Sequence, residues 1–170
     1  MRAAVCREYG PPETIEVAEV PSPVPGAGQV RVRVGAAAVN HPDVLFMANQ
    51  YQLTVPVPFV PGSEFAGVVT EVGADVPGVS AGDRVMGTTT VGAFAEEVVV
   101  PVSSVTPVPD GVSDASAAAF GVAHRTAYHV LRSVARVRPS TTSRSPGRTR
   151  ATDRRTWKAV RCATPNAAAW

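Results

Sequence analysis

The sequence predicts a mainly β fold: a small, partly open β-barrel with short helices, followed by two helices. Three observations carry this. Short valine-rich segments with alternating character recur between turn signals. Proline (16) and glycine (14) punctuate the 170 residues, as expected of many strands joined by turns. From Ser113 onward the spacing of apolar residues becomes helical. Hydrophobic residues make up 45% of the chain, enough for one buried core in a chain of single-domain size.

The elements follow in order. Arg2 to Cys6 reads as a strand, Tyr9-Gly10-Pro11-Pro12 as a turn, and Thr14 to Val20 as a second strand. Pro21 to Gly28 is a loop, because proline and glycine set turn dihedrals and interrupt ladders. Gln29 to Val34 alternates, with Val30, Val32 and Val34 toward a core and Arg31 and Arg33 toward water. The run Ala36 to Val39 continues it as a buried strand. Pro42 suits the first turn of a short helix opening at Asn40 or His41. A strand runs from Phe65 to Val72, and Gly67 inside it signals a bulge or a close backbone approach. Ala81 to Val85 turns into another strand, and Gly92 to Val100 forms a further one. Pro101 to Asp110 is a loop with one short strand. Ser113 caps an alanine-rich helix, and a second helix ends near Arg136.

The last 32 residues are a different kind of sequence. Residues 1–138 carry nine arginines against thirteen acids, a net charge of −4. Residues 139–170 carry seven basic residues and one Asp, a net charge of +6. That segment has no apolar face and no strand pattern, so it is expected to be disordered. The chain therefore divides into a domain over 1–138 and a tail over 139–170. The tail arginines lack interleaved aromatics and any recognition module, so nucleic-acid binding is not expected.

Other classes are excluded on similar grounds. No run of 18 apolar residues is present, so no membrane span is expected. The N-terminus lacks an apolar signal core, and a cytoplasmic location follows. Cys6 and Cys162 are far apart and support neither a disulfide framework nor a structural zinc site. Taken alone, Asn40 reads as a helix cap, Tyr51 as a half-buried packing residue and Glu64 as a buried, hydrogen-bonded carboxylate. Thr126 reads as an ordinary helix residue, and Cys6 as a small buried hydrophobe.

Three stretches point further: VRVRVGAAAVNHPDVLFMANQYQ, PFVPGSEFAGVVTEVGADVPGVSAGDRVMG and GAFAEEVVVPVSSVTPVPDGVSDASAAAFGVAHRTAYHVL. In order and spacing they resemble the N-terminal half of the medium-chain dehydrogenase/reductase superfamily, in its quinone oxidoreductase branch. The resemblance covers roughly residues 1–139. It implies a GroES-like domain, ordinarily followed by a Rossmann domain that binds NADPH. In the zinc-dependent branch a Cys opens the C-x-x-D motif; Asn40 stands there, with Asp43 kept. A His precedes Glu in that branch's G-H-E motif; Ser63 stands there, between Gly62 and Glu64. The four-cysteine zinc loop is missing. A catalytic zinc needs three protein ligands, so no metal is expected.

What the resemblance implies for chemistry is hydride transfer from NADPH to a quinone or another electron-poor double bond. The protein would orient the reactants and stabilise the oxygen that gains charge. By resemblance, Asn40 and Tyr51 are the catalytic residues, Leu45 and Glu64 line the substrate site, and Thr126 contacts the nicotinamide carboxamide. Leu45 stands where relatives often have Tyr, which removes one hydroxyl. Reduction of an enone or enoyl thioester uses the same geometry. A free-standing, non-catalytic GroES-like interaction module is the alternative from another class. Full-length relatives suggest a homodimer. After Pro139 no Gly-rich strand–loop–helix follows, so a truncated or frame-shifted reading of a longer gene is expected, with little activity in the chain as it stands.

Overall fold

A computed structural model describes residues 1–137 and the backbone of Ala167–Ala168. The chain opens with an antiparallel hairpin, β1 (Arg2–Val5) against β2 (Glu16–Glu19). β3 (Gln29–Ala38) leads into helix α1 (His41–Met47). β4 (Glu64–Val72), β5 (Arg84–Thr88), β6 (Glu97–Pro101) and β7 (Val105–Pro107) complete an antiparallel sheet ordered β6-β3-β4-β5-β7. Helices α2 (Asp114–Ala118) and α3 (Gly121–His129) follow, and a π-helical turn spans Val130–Val134. The expected tail lies outside the described residues, apart from Ala167–Ala168 (β8). That pair adds antiparallel to Ala37 and Ala38 at the end of β3. Two alanines carry no alternation, so sequence pattern does not reveal such a strand.

The mainly β class with few short helices is observed. β3 sits at its centre, and its alternation translates directly into burial. Val30 and Val32 are fully buried, while Arg33 is exposed. Burying each such side chain contributes roughly 1.5–3 kcal/mol. Arg31 is half-buried because it reaches Glu71 on β4 at 2.9 Å and Glu97 on β6 at 3.7 Å. The register against β4 shifts between Val34 and Ala36. Beyond that bulge Ala36, Ala37 and Ala38 are all buried, because the strand now separates two cores. Ala37 joins Val30, Val32, Phe65, Val69 and Val85 in one. Ala36 joins Ala66, Val108, Ala117 and Ala118 in the other. The small residues let α2 lie close on the sheet.

The bulge also accounts for Gly67. It pairs with Val34, and a Cβ there would land on the Arg33 carbonyl oxygen. The close approach that a glycine inside a strand signals is thus present. Ser113 caps α2 as expected, its side chain accepting the Ser116 N–H at 3.2 Å. Arg84 anchors the same helix start by pairing with Asp114 and donating to the Val112 carbonyl at 2.8 Å.

Two elements are shorter than expected. β2 begins only at Glu16, after a 3-10 turn over Pro12–Thr14. The strand expected from Gly92 starts at Glu97. Gly92 has φ of +111°, and the next two N–H groups turn away from β3. Ala93 donates to the Gly62 carbonyl at 3.0 Å and Phe94 to that of Pro61 at 2.9 Å.

The chain divides into two compact units, Met1–Val122 with Pro165–Trp170, and Ala123–Thr164. In the second, Tyr128, Val130, Leu131, Val134 and Val137 are exposed. No helix among the described residues is long and apolar enough to cross a membrane.

Candidate functional site

The β3–β4 ladder places Ala38 opposite Glu64, so the chain leaving β3 meets the start of β4 at Asn40. Asn40 is extended, with φ −121° and ψ 156°, and stands at the cap position of α1. Its backbone N–H donates to Asp43 Oδ2 at 2.7 Å, the carboxylate half of a capping box. Its amide points the other way. Asn40 Nδ2 donates to Glu64 Oε2 at 3.1 Å and, at the long limit of 3.4 Å, to the Ala38 carbonyl. Asn40 is therefore more than a cap: its amide is committed to a second strand.

Glu64 is only 1% exposed, yet both its oxygens are used. Oε2 takes the Asn40 amide, and Oε1 accepts the Val122 backbone N–H at 2.8 Å. A carboxylate between two N–H donors is the form in which a buried acid is tolerable. The approach requires Gly121, where a Cβ would sit 2.7 Å from Glu64 Oε1. Gly121 and the Val122 N–H escape sequence reasoning, although a glycine directly before a helical run is a visible signal of close approach.

Beneath Asn40, Asp43 and Ser63 are buried as well. Burial pushes the Asp43 carboxyl up from its ordinary value, opposed by the Asn40 N–H. Asp43 Oδ1 and Ser63 Oγ complete no hydrogen bond.

Leu45 is half-buried on α1. Tyr51, also half-buried, lies against Phe46 with ring centroids 4.5 Å apart and planes tilted by 47°. Both aromatic rings belong to the cluster around Cys6, Met47 and Phe59, which holds the tyrosine body while leaving it partly open. The structure thus joins Asn40 and Glu64 by a direct bond. No hydrogen bond links Leu45 or Tyr51 to that pair. Thr126 is exposed on α3, within the second unit. A cavity of about 670 Å³ lies elsewhere, between the β1–β2 hairpin and the segments Arg33–Val34 and Phe94–Glu97. None of the expected site residues lines it.

Among the described residues no three His, Cys, Asp or Glu side chains converge as metal ligands. Thr126, expected to meet the nicotinamide carboxamide, is exposed. At the start of α3 the Val122 N–H is taken by Glu64.

Comparison with known proteins identifies the family of the domain. Residues 26–110 match the alcohol dehydrogenase GroES-like domain. The quinone oxidoreductase-like protein 2 of Rattus norvegicus is 42% identical over 142 residues, which is 83% of this chain and 40% of that protein. The chain thus spans well under half the length of this relative. Among solved structures, the human synaptic vesicle membrane protein VAT-1 homolog-like protein superposes with a TM-score of 0.78 at 36% identity, over 81% of this chain and 45% of that one. The quinone oxidoreductase of Thermus thermophilus, solved also as its complex with NADPH, gives 0.71 at 35% identity, over 82% and 43%.

Proposed function

The chain belongs to the alcohol dehydrogenase GroES-like domain family, in the zinc-independent quinone oxidoreductase branch of the medium-chain dehydrogenase/reductase superfamily, and from that premise we propose that it is the substrate-side half of an NADPH-dependent quinone reductase. The observation that carries the proposal is the Asn40–Glu64–Val122 connection. It ties the end of β3, the start of β4 and the start of α3 into one corner.

In this reading the hairpin and the six-stranded sheet are the walls of a partly open barrel. Residues 1–138 act as the substrate domain. α3 and the turn after it present Tyr128, Leu131 and Val134 toward a nucleotide-binding half, as such an exposed apolar row suits a partner surface. The cofactor, when bound, supplies a hydride. Thr126 would receive its carboxamide.

The chain's own residues do the rest. The Tyr51 ring, braced by Phe46, offers a flat apolar surface and a phenolic donor to a quinone. Leu45 adds apolar contact. Asn40 turns its amide to the substrate oxygen by releasing its long bond to Ala38, while its shorter bond to Glu64 keeps it in place. A donor held ready in this way stabilises charge developing on that oxygen. Glu64 is then a positioning group rather than a direct contact. The setting is a cytoplasmic one, with homodimers in the whole protein.

The test follows NADPH fluorescence and quinone loss in one sample of the purified chain. The expected result is weak or no cofactor binding and no turnover by the chain alone, with turnover appearing when a relative's nucleotide-binding half is fused after Arg138. A fused protein that binds NADPH tightly but never reduces a quinone would sink the proposal, and would favour an enone substrate or a non-catalytic interaction module.

A further inference from the structure

The cavity of about 670 Å³ beside the hairpin shares no residue with the corner at Asn40, and its size is that of small-molecule sites. Backbone hydrogen bonds frame it. Ala4 donates its N–H to the Phe94 carbonyl at 2.8 Å, Glu96 to that of Arg2 at 3.1 Å, and Val34 to that of Glu96 at 2.9 Å. The hairpin, the segment before β6 and β3 are thereby joined around a preformed space. Its wall is apolar along Ala3, Ala4, Val17, Val34 and Phe94. The charges around it are matched, with one exception. Glu96 accepts the Arg2 backbone N–H on Oε2 and the Arg2 Nε–H on Oε1, each at 2.8 Å. The Met1 amine pairs with Glu19 at 3.4 Å. Glu97 stands opposite Arg33 in the β3–β6 register, yet its carboxylate engages Arg31, at 3.7 Å. Arg33 also lines the cavity and is exposed. Among the described residues its guanidinium joins no ion pair and no hydrogen bond.

We propose that this cavity binds a small organic carboxylate with an apolar body: the Arg33 guanidinium takes the carboxylate, and Val17, Val34 and Phe94 take the rest. A guanidinium presents paired N–H donors that match a carboxylate. Alternation along β3 assigns Arg33 to water; its place on an apolar wall gives it a second use. Ala3 and Ala4 are small and buried, so the inner wall leaves room for an apolar chain or ring. The unmatched charge is single, and a monoanion completes it. A dianion such as a phosphate monoester would bring a second negative charge against Glu96 and Glu97, which also line the space. A neutral quinone offers Arg33 no charge, so this site is separate from the one proposed around Asn40 and does not rest on it.

The experiment titrates octanoate into the ¹⁵N-labelled full chain at pH 7 and follows amide shifts, with 1-octanol as the uncharged counterpart. The variants are Arg33→Gln and Val17→Ser, both at exposed positions, so the fold is kept. Saturable octanoate shifts are expected at Ala4, Arg33, Val34 and Phe94, with octanol binding more weakly. Arg33→Gln is expected to lower octanoate affinity about tenfold, the worth of a hydrogen bond to a charged group, and to leave octanol unchanged. Val17→Ser is expected to weaken both ligands about threefold, through lost apolar contact. Added salt is expected to weaken octanoate alone. Octanoate that binds no tighter than octanol, that binds Arg33→Gln as well as the parent, or that shifts no amide around the cavity would overturn the proposal. A chain that binds octanoate and ignores quinones would defeat the functional reading and leave this one standing.

Discussion

The sheet around β3 and the helical segment from Phe120 to Val137 are built from similar amounts of valine, leucine and aromatic residue, and they use them in opposite ways. In the sheet, Val30, Val32, Phe65, Val69 and Val85 are almost wholly buried. In the helical segment, Phe120, Tyr128, Val130, Leu131, Val134 and Val137 are all exposed. Apolar pattern alone does not distinguish the two, because it reports what a segment is able to bury against, not whether a partner is there. The sheet supplies its own partner in α2 and the facing strands. In the helical segment Tyr128, Val130, Leu131, Val134 and Val137 keep their apolar side chains exposed.

The comparison breaks most sharply at Gly67. Gly67→Val would push a side chain into the Arg33 carbonyl across the bulge, with no flexible atom to yield. The loss expected is about 4 kcal/mol or more, measured by urea unfolding; a loss below about 1 kcal/mol, on the scale of a surface change, would show that the bulge is not fixed. Next comes the corner at Glu64. Glu64→Ala strands both the Asn40 amide and the Val122 N–H, at a cost of about 2–3 kcal/mol. Glu64→Gln keeps an acceptor and should cost less. Equal losses would mean that the carboxylate merely fills space.

The pH dependence sharpens the contrast between buried and exposed acids. Asp43 has its folded value raised by burial. Its contribution is complete below the ordinary carboxylate range and fades as pH rises through the folded value. Glu96 has its value lowered, first by the Arg2 backbone N–H and then by the Arg2 side chain. Its contribution is present above the ordinary range and fades as pH falls through the folded value. It is exposed, so solvent screens it. Stability profiles of Asp43→Asn and Glu96→Gln should therefore depart from the parent at opposite ends of the pH range. The smallest effect is expected in the helical segment. Leu131→Ser should change stability by no more than about 0.5 kcal/mol while reducing self-association, read by light scattering. A large loss would show that Leu131 is packed after all.

Much of the sheet was legible in the chain. Alternation located β3, and the glycine inside β4 announced the bulge opposite. The cap of α2 was readable from Ser113. The shortened β6 was not, because Ala93 and Phe94 bond to the Pro61–Gly62 turn, a contact between segments some thirty residues apart. At the site, Asn40 and Glu64 were readable from their motifs. Their direct bond was not, since it depends on the register that sets Ala38 against Glu64. The Val122 N–H was invisible in the same way, because backbone donors carry no residue signature. Asp43 and Ser63 were visible only as motif positions. Their burial depends on what folds around them, which motif positions do not state.

The central claim, that this domain is the quinone-facing half of a reductase, is tested most directly by titrating a small quinone into the ¹⁵N-labelled chain and following amide shifts. The account predicts saturable shifts at Asn40, Leu45 and Tyr51, with the Asn40 side-chain amide moving most, and none around the cavity beside Arg33 and Phe94. Shifts confined to that cavity, or none at any concentration, would contradict it.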